Sequence, residues 1–354
     1  MHNTASDTRR QVLTSRELPI AELRRGFDLA ATQTLQEFNL RVAGHAVRIR
    51  IAGERWSQIV RFAMGHLLDD SLVDGAPALT IDAWDVEETG VQAPLSDLDS
   101  DAPPILMRMS DDGQLIGEER PHSRVWLDRR NDRILGCIEA TDRLNLDERA
   151  RPFHKLLSPW LEDRGIQFVH SGLISSAGKG ILFVGNGGAG KSTSSISCLR
   201  AGMGYLGDDF IGLGTEAGRF VGHGLYASCL LNVHHIERFP DLVPSGRRPN
   251  HAHEDKFVLY LTEAFQNCLL SRSSVDALVL PRVVDSETTT FRPATRMAAL
   301  RAIAPTSVMY LPRPNRAAFE RLSQLVENTP AYWLELGRRI DLIPAAVQKL
   351  AEQL

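Results

Sequence analysis

The sequence predicts a mixed α/β protein of two domains, a smaller α+β unit over residues 1–150 and a larger unit over 151–354. Three observations lead there. A length of 354 residues is enough to build two hydrophobic cores. Strand-like and helix-like runs alternate along the chain, but too irregularly for a doubly wound parallel sheet. And the apolar run at 181–184 feeds a glycine-rich loop that opens a helix.

Composition narrows the class before any element is placed. Hydrophobic residues make up 43% and charged residues 24%, the balance of a soluble globular protein. A net charge of −4 gives no general attraction to nucleic acid or to an anionic membrane. Cys137, Cys198, Cys229 and Cys268 lack metal-ligand spacing and read as reduced thiols of a cytoplasmic protein. The first 18 residues carry basic side chains with no apolar core behind them, so no signal peptide is expected. No run is long enough to span a bilayer.

The first half reads as follows. Residues 37–53 alternate, with Leu40 and Val42 on one side of Ala43-Gly44-His45 and Val47, Ile49 and Ile51 on the other, which predicts a β-hairpin. Residues 54–69 place Trp56, Ile59, Val60, Ala63 and Leu67 at helical spacing. A strand follows at 78–84. The stretch 85–112 is acidic, holds three prolines and predicts an exposed excursion. Strands at 123–128 and 133–140 lead to a helix from 147 to about 164. His122 and His154 are isolated and read as structural or surface residues. Acceptor recognition, an oligomer interface and bracing of the second domain all stay open as roles for this half, and so does a homo-oligomer.

The second half is organised by GNGGAGKS at 185–192, which fits the phosphate-loop pattern G-x-x-x-x-G-K-[ST]. Gly185, Asn186, Gly187, Gly188, Ala189 and Gly190 would curl so that their N–H groups cradle phosphate oxygens. The helix opening at Lys191 would add its N-terminal partial charge, with Thr193 in its first turn. Lys191 would reach the β/γ-phosphates, and the Ser192 hydroxyl would ligate Mg²⁺. One helix later the strand at 204–207 ends in Asp208-Asp209. Successive extended residues point apart, so one carboxylate can face a metal while the other takes a proton. An Asp-Asp turn capping a hairpin is the competing reading.

Beyond the aspartates, 212–220 predicts a hairpin, 222–232 a strand or bend, and 233–239 a short helix. Adjacent His234-His235 would point about 100° apart on that helix, unlike an i, i+4 zinc pair. The stretch 241–254 is polar and turn-rich and contains Arg247 and Arg248. Strands at 257–261, 275–280, 288–292 and 332–336 alternate with helices at 296–304, 315–327 and 344–354.

His170 in FVHSG, the hairpin through Ser175–Gly180, the loop GNGGAGKST and GDD at 207–209 together resemble the HPr kinase/phosphorylase family. The C-terminal YWLELG at 332–337 resembles the end of related bacterial kinase-like proteins. The resemblance covers roughly 165–354 and implies a phosphoenolpyruvate carboxykinase-like P-loop kinase core. It implies ATP and Mg²⁺ as cofactors, Asp208 as the residue that deprotonates an acceptor serine, Asp209 and Ser192 near the metal, and His170 as an active-site histidine orienting Asp208 or the γ-phosphate. Related kinases place a cation after a comparable loop, which makes Lys256 the first candidate to steady the transferring phosphoryl group and Arg248 the second. A solvated surface charge is the competing reading for both.

The family's glutamate-arginine-glycine stretch and second signature are absent, since 222–239 reads GHGLYASCLLNVHHIERF. That departure points away from HPr as acceptor and toward smaller kinase-like relatives. The expected function is transfer of the γ-phosphoryl group of Mg·ATP to a hydroxyl, with serine of a peptide or protein first. A small-molecule alcohol acceptor and a non-catalytic ATP-binding regulator stay open.

Overall fold

The computed structural model describes residues 9–13, 19–72, 75–93, 105–232, 237–247, 256–309 and 316–354. It is a mixed α/β protein that divides into two units, Met1–Arg61 with Leu68–Trp160, and Phe62–Leu67 with Leu161–Leu354.

The first unit is built on β1 (Arg9–Leu13), α1 (Ile20–Ala30), β2 (Gln36–Val42), β3 (His45–Ala52), α2 (Glu54–Met64), β4 (Leu79–Asp85), α3 (Val86–Thr89), β5 (Leu106–Ser110), β6 (Leu115–Arg120), β7 (Ser123–Asp128), β8 (Arg133–Ile138), α4 (Leu146–Ala150) and α5 (His154–Glu162). Its eight strands form one sheet in the order β1-β5-β6-β7-β8-β4-β3-β2. The hairpin expected at 37–53 is β2–β3, turning at Ala43-Gly44 between the paired Val42 and His45. Leu23, Phe27 and Ala30 of α1 bury against Trp84, Trp126, Leu135 and Cys137 of the sheet.

Two expectations need correction here. The 85–112 stretch is not simply an excursion. Buried Asp85 caps α3 by accepting hydrogen bonds from the Glu87 and Glu88 amides at 2.9 and 3.3 Å, and the acidic first turn suits the helix dipole. Leu106–Ser110 is a strand in which Leu106 and Met107 are buried; residues 94–104 lie outside the described part. The helix expected from 147 to 164 is two helices. A capping box between Asn145 and Glu148 starts α4, and Pro152 drives Arg151 out of helical geometry. Phe153 then takes φ +59 before α5 begins.

The second unit runs β9 (Gln167–Val169), β10 (Gly172–Ser176), β11 (Lys179–Phe183), α6 (Lys191–Arg200), β12 (Gly204–Gly207), β13 (Ile211–Glu216), β14 (Arg219–Gly224), β15 (Ser228–Asn232), β16 (Gly246–Arg247), β17 (Lys256–Tyr260), β18 (Arg272–Ser274), β19 (Ala277–Val283), β20 (Thr290–Pro293), α7 (Arg296–Met309), α8 (Arg316–Asn328), β21 (Ala331–Leu336) and α9 (Ile343–Ala351). Its centre is a six-stranded sheet, β12-β10-β11-β19-β21-β20. Successive residues of these strands face opposite sides, as the two-residue repeat requires. Ile174, Ile181, Phe183, Val279 and Leu334 pack against α6 and α9. Leu173, Leu182, Val184, Leu278 and Leu280 pack against α7, α8 and β13.

Strand direction positions everything that follows. β10 is antiparallel to both β11 and β12, while β19 is parallel to β11 and β21 is parallel to β19. The carboxyl ends of β12, β11, β19 and β21 therefore lie along one edge of the sheet, the edge where ligands of α/β sheets bind.

Candidate functional site

The glycine loop leaves the carboxyl end of β11 and enters α6 at Lys191. Gly190 at the junction has φ +106, and a Cβ there would stand 2.5 Å from Leu336 Cδ1. Only glycine lets the loop turn this sharply beneath the end of β21. Lys191 is 6% exposed and curls back over its own loop, donating from Nζ to the Gly185 and Asn186 carbonyls at 2.7 and 3.3 Å. Burial pushes its ammonium down to about 8, while the negative charge of Asp208 acts in the opposite direction. Ser192 is half-buried and Thr193 buried in the first turn of α6.

Asp208 and Asp209 follow β12 on the same edge. Asp208 is 3% exposed, and Tyr205 Oη donates to its Oδ1 at 3.3 Å. Burial, then the Asp208 charge, raises the Tyr205 phenol well above its ordinary value, so it stays a proton donor. Gly172 lets this turn close on α6, since a Cβ there would lie 2.4 Å from Ser195 Oγ and 3.3 Å from Asp208 Cα.

Asp209 is more open, its side chain 30% exposed, and His170 Nε2 lies 2.7 Å from its Oδ1. The pairing follows from topology. β13 runs antiparallel to β9 with Ile211 opposite Val169, which brings the residues just outside that pair, 209–210 and 170–171, side by side. The Ser171 N–H donates to the Asp209 carbonyl at 3.1 Å, the His170 N–H to buried Ser307 Oγ of α7 at 3.1 Å, and the His170 ring lies against Phe210. His170 thus sits on Asp209, and its expected role toward Asp208 or the γ-phosphate stays an expectation.

Lys256 lies in a different sheet from the loop and the aspartates. It is exposed at the start of β17, opposite Asn232 in the three-stranded sheet β15-β17-β16, and among the described residues no hydrogen bond or ion pair joins it to the loop or the aspartates. Arg248, His234 and His235 lie outside the described residues. Among the described residues, no three His, Cys, Asp or Glu side chains gather in a way that could hold a metal, and no helix is long and apolar enough to cross a membrane.

No protein-family model matches the chain. No curated protein matches it either. Among solved structures it is similar to the Hpr(Ser) kinase/phosphatase from Coxiella burnetii, at 14% identity and a TM-score of 0.30, over 53% of this chain and 97% of that one. A TM-score of 0.30 carries no weight for the chemistry of this chain.

Sequence reasoning missed Tyr205 and Ser307. Neither belongs to a spacing pattern. Tyr205 reads as an ordinary strand aromatic, and Ser307 is separated from His170 by 137 positions. In the first unit His122 pairs with Glu148, the capping-box residue, at 2.8 Å, a structural contact.

Proposed function

We propose that the chain is a Mg²⁺- and ATP-dependent kinase that transfers the γ-phosphoryl group to a hydroxyl, with serine of a peptide or protein as the first acceptor class. The observation that carries this reading is one sheet edge holding Lys191 in its glycine loop, a buried carboxylate at Asp208 close enough to act on that lysine's charge, and a second, more open carboxylate at Asp209.

The loop amides and the N-terminus of α6 would hold the phosphates, and Lys191 would exchange its two carbonyl partners for phosphate oxygens. Asp208 would take the acceptor's hydroxyl proton as its oxygen bonds the γ-phosphorus; the bond from that phosphorus to the β–γ bridging oxygen breaks and ADP leaves. Tyr205 would fix which Asp208 oxygen faces the acceptor, and His170 would hold the Asp209 carboxylate in place. Ser192 and Asp209 supply hydroxyl and carboxylate oxygens, hard donors that fit Mg²⁺, an ion that keeps waters and takes substrate phosphate oxygens rather than an all-protein cage. Bound there, the ion would neutralise charge on the β- and γ-phosphates.

The reading separates binding from transfer. Lys191→Ala should weaken Mg·ATP binding at least tenfold by calorimetry. Asp208→Asn should bind Mg·ATP as wild type does and lose about 10²–10⁴-fold in transfer, the range for a general base. Unchanged transfer by Asp208→Asn would remove that residue from the role of base.

A further inference from the structure

The first unit holds a pocket of its own, and every side chain that lines it belongs to that unit. Its volume is about 40 Å³. One water requires roughly 10–15 Å³, so there is room for a small organic group. One wall is apolar, with Val125, Ile138 and Leu144 beside the rings of Trp56 and Phe153, whose centroids lie 5.8 Å apart. The other wall is charged, with Glu118, Asp147 and Glu148 beside Arg120, Arg151 and Lys155.

The carboxylates and arginines are engaged with one another. Arg120 donates to Glu118 Oε1 from Nε and Nη2 at 3.0 and 2.7 Å and lies 3.4 Å from Glu148. Glu148 also accepts from Ser123 Oγ at 2.7 Å. Arg151 pairs with Asp147. Lys155 is the exception. Among the described residues no hydrogen bond or ion pair holds its ammonium, although the residue is only partly exposed. Burial lowers its pKa, against the pull of Glu118 and Asp147. A cation so placed needs an acceptor. The chain is bent to put it there: two residues earlier Phe153 takes φ +59, a left-handed conformation that bulky side chains rarely adopt. Strain of that kind clusters at ligand sites.

We propose that the pocket binds the carboxylate of a small organic acid, with Lys155 as donor and the Trp56–Phe153 wall against its carbon chain. This assignment does not depend on the phosphate-loop reading. The carboxylate gains a charge-assisted hydrogen bond from Nζ, and its first carbons leave water for the aromatic rings. Charge selects the ligand class. Three carboxylates and three cations on the wall cancel, and burial keeps His154, which also lines the pocket, neutral. A singly charged acceptor therefore matches Lys155, whereas a phosphate dianion would bring a second charge toward Glu118, Asp147 and Glu148. A simple acid and an α-amino acid both present the required group.

The chain has five lysines, Lys155, Lys179, Lys191, Lys256 and Lys349, so protein labelled with ¹³C at lysine Cε gives five resolvable positions by NMR. Lys155→Met and Lys155→Arg each remove one signal, so either variant that folds assigns it. Propionate should move that signal saturably and raise the Lys155 pKa, because a bound carboxylate favours the charged form. By calorimetry, Lys155→Met should keep its melting temperature and bind propionate at least tenfold more weakly than wild type. Alanine moving the signal as well would make the ligand an amino acid, and propionate alone a simple acid; both results uphold a carboxylate site. A Lys155 signal that neither acid moves would overturn the proposal. So would inorganic phosphate moving it at a lower concentration than propionate, or a Lys155→Met protein that binds propionate as wild type does.

Discussion

Lys191 carries its charge in a buried position, and that has a pH signature. Burial lowers its ammonium to about 8, so in the free protein it is mostly charged at about pH 7 and about nine-tenths neutral at about pH 9. A bound triphosphate favours the charged form and draws a proton in. Affinity for Mg·ATP should therefore fall about tenfold between about pH 7 and pH 9, with proton uptake on binding above about pH 8. Calorimetry in buffers of different ionisation enthalpy reads both. A flat affinity across that range would place Lys191 away from the phosphates. The loop residues, Lys191, Ser192 and the aspartate pair stand out in the sequence as candidates, and the structure brings the loop and the aspartates to one edge of the sheet. The partner of His170 was not legible, because the 2.7 Å contact with Asp209 depends on β9 pairing with β13, and a strand pairing is not written in either strand alone. Tyr205 was hidden for a related reason: its hydroxyl matters only because β12 turns immediately into Asp208.

At the scale of elements, the junction of loop and α6 is the most constrained point. Gly190 combines φ +106 with Leu336 Cδ1 2.5 Å from where a Cβ would stand. Gly190→Ala should cost about 1–3 kcal/mol, seen as a lowered melting temperature, and should weaken nucleotide binding with it. An unchanged melting temperature would mean that the loop is not held against the end of β21. Helices and strands were otherwise legible where periodicity was strong, as in β2–β3 and in α8 with its buried Leu322 and Leu325. They were not where composition masked them. Acidic residues concealed α3 because they serve there as cap and first turn, and one proline split α4 from α5 with Phe153 at φ +59.

At the scale of the whole molecule, the mixed α/β class was legible from irregular alternation, but the order β12-β10-β11-β19-β21-β20 was not. That order inserts the β10 hairpin strand between β11 and β12 and so fixes the distance from loop to aspartates. The central claim is that this edge transfers a phosphoryl group. The most direct measurement incubates wild type and Asp208→Asn with γ-labelled ATP, Mg²⁺ and a lysate of the source cell, then separates macromolecular from small-molecule products. Label that enters the macromolecular fraction with wild type and not with Asp208→Asn is the predicted result. Label of neither fraction above the Asp208→Asn background, from a protein that Mg·ATP still stabilises against heat, would contradict it and leave a nucleotide-binding protein without transfer.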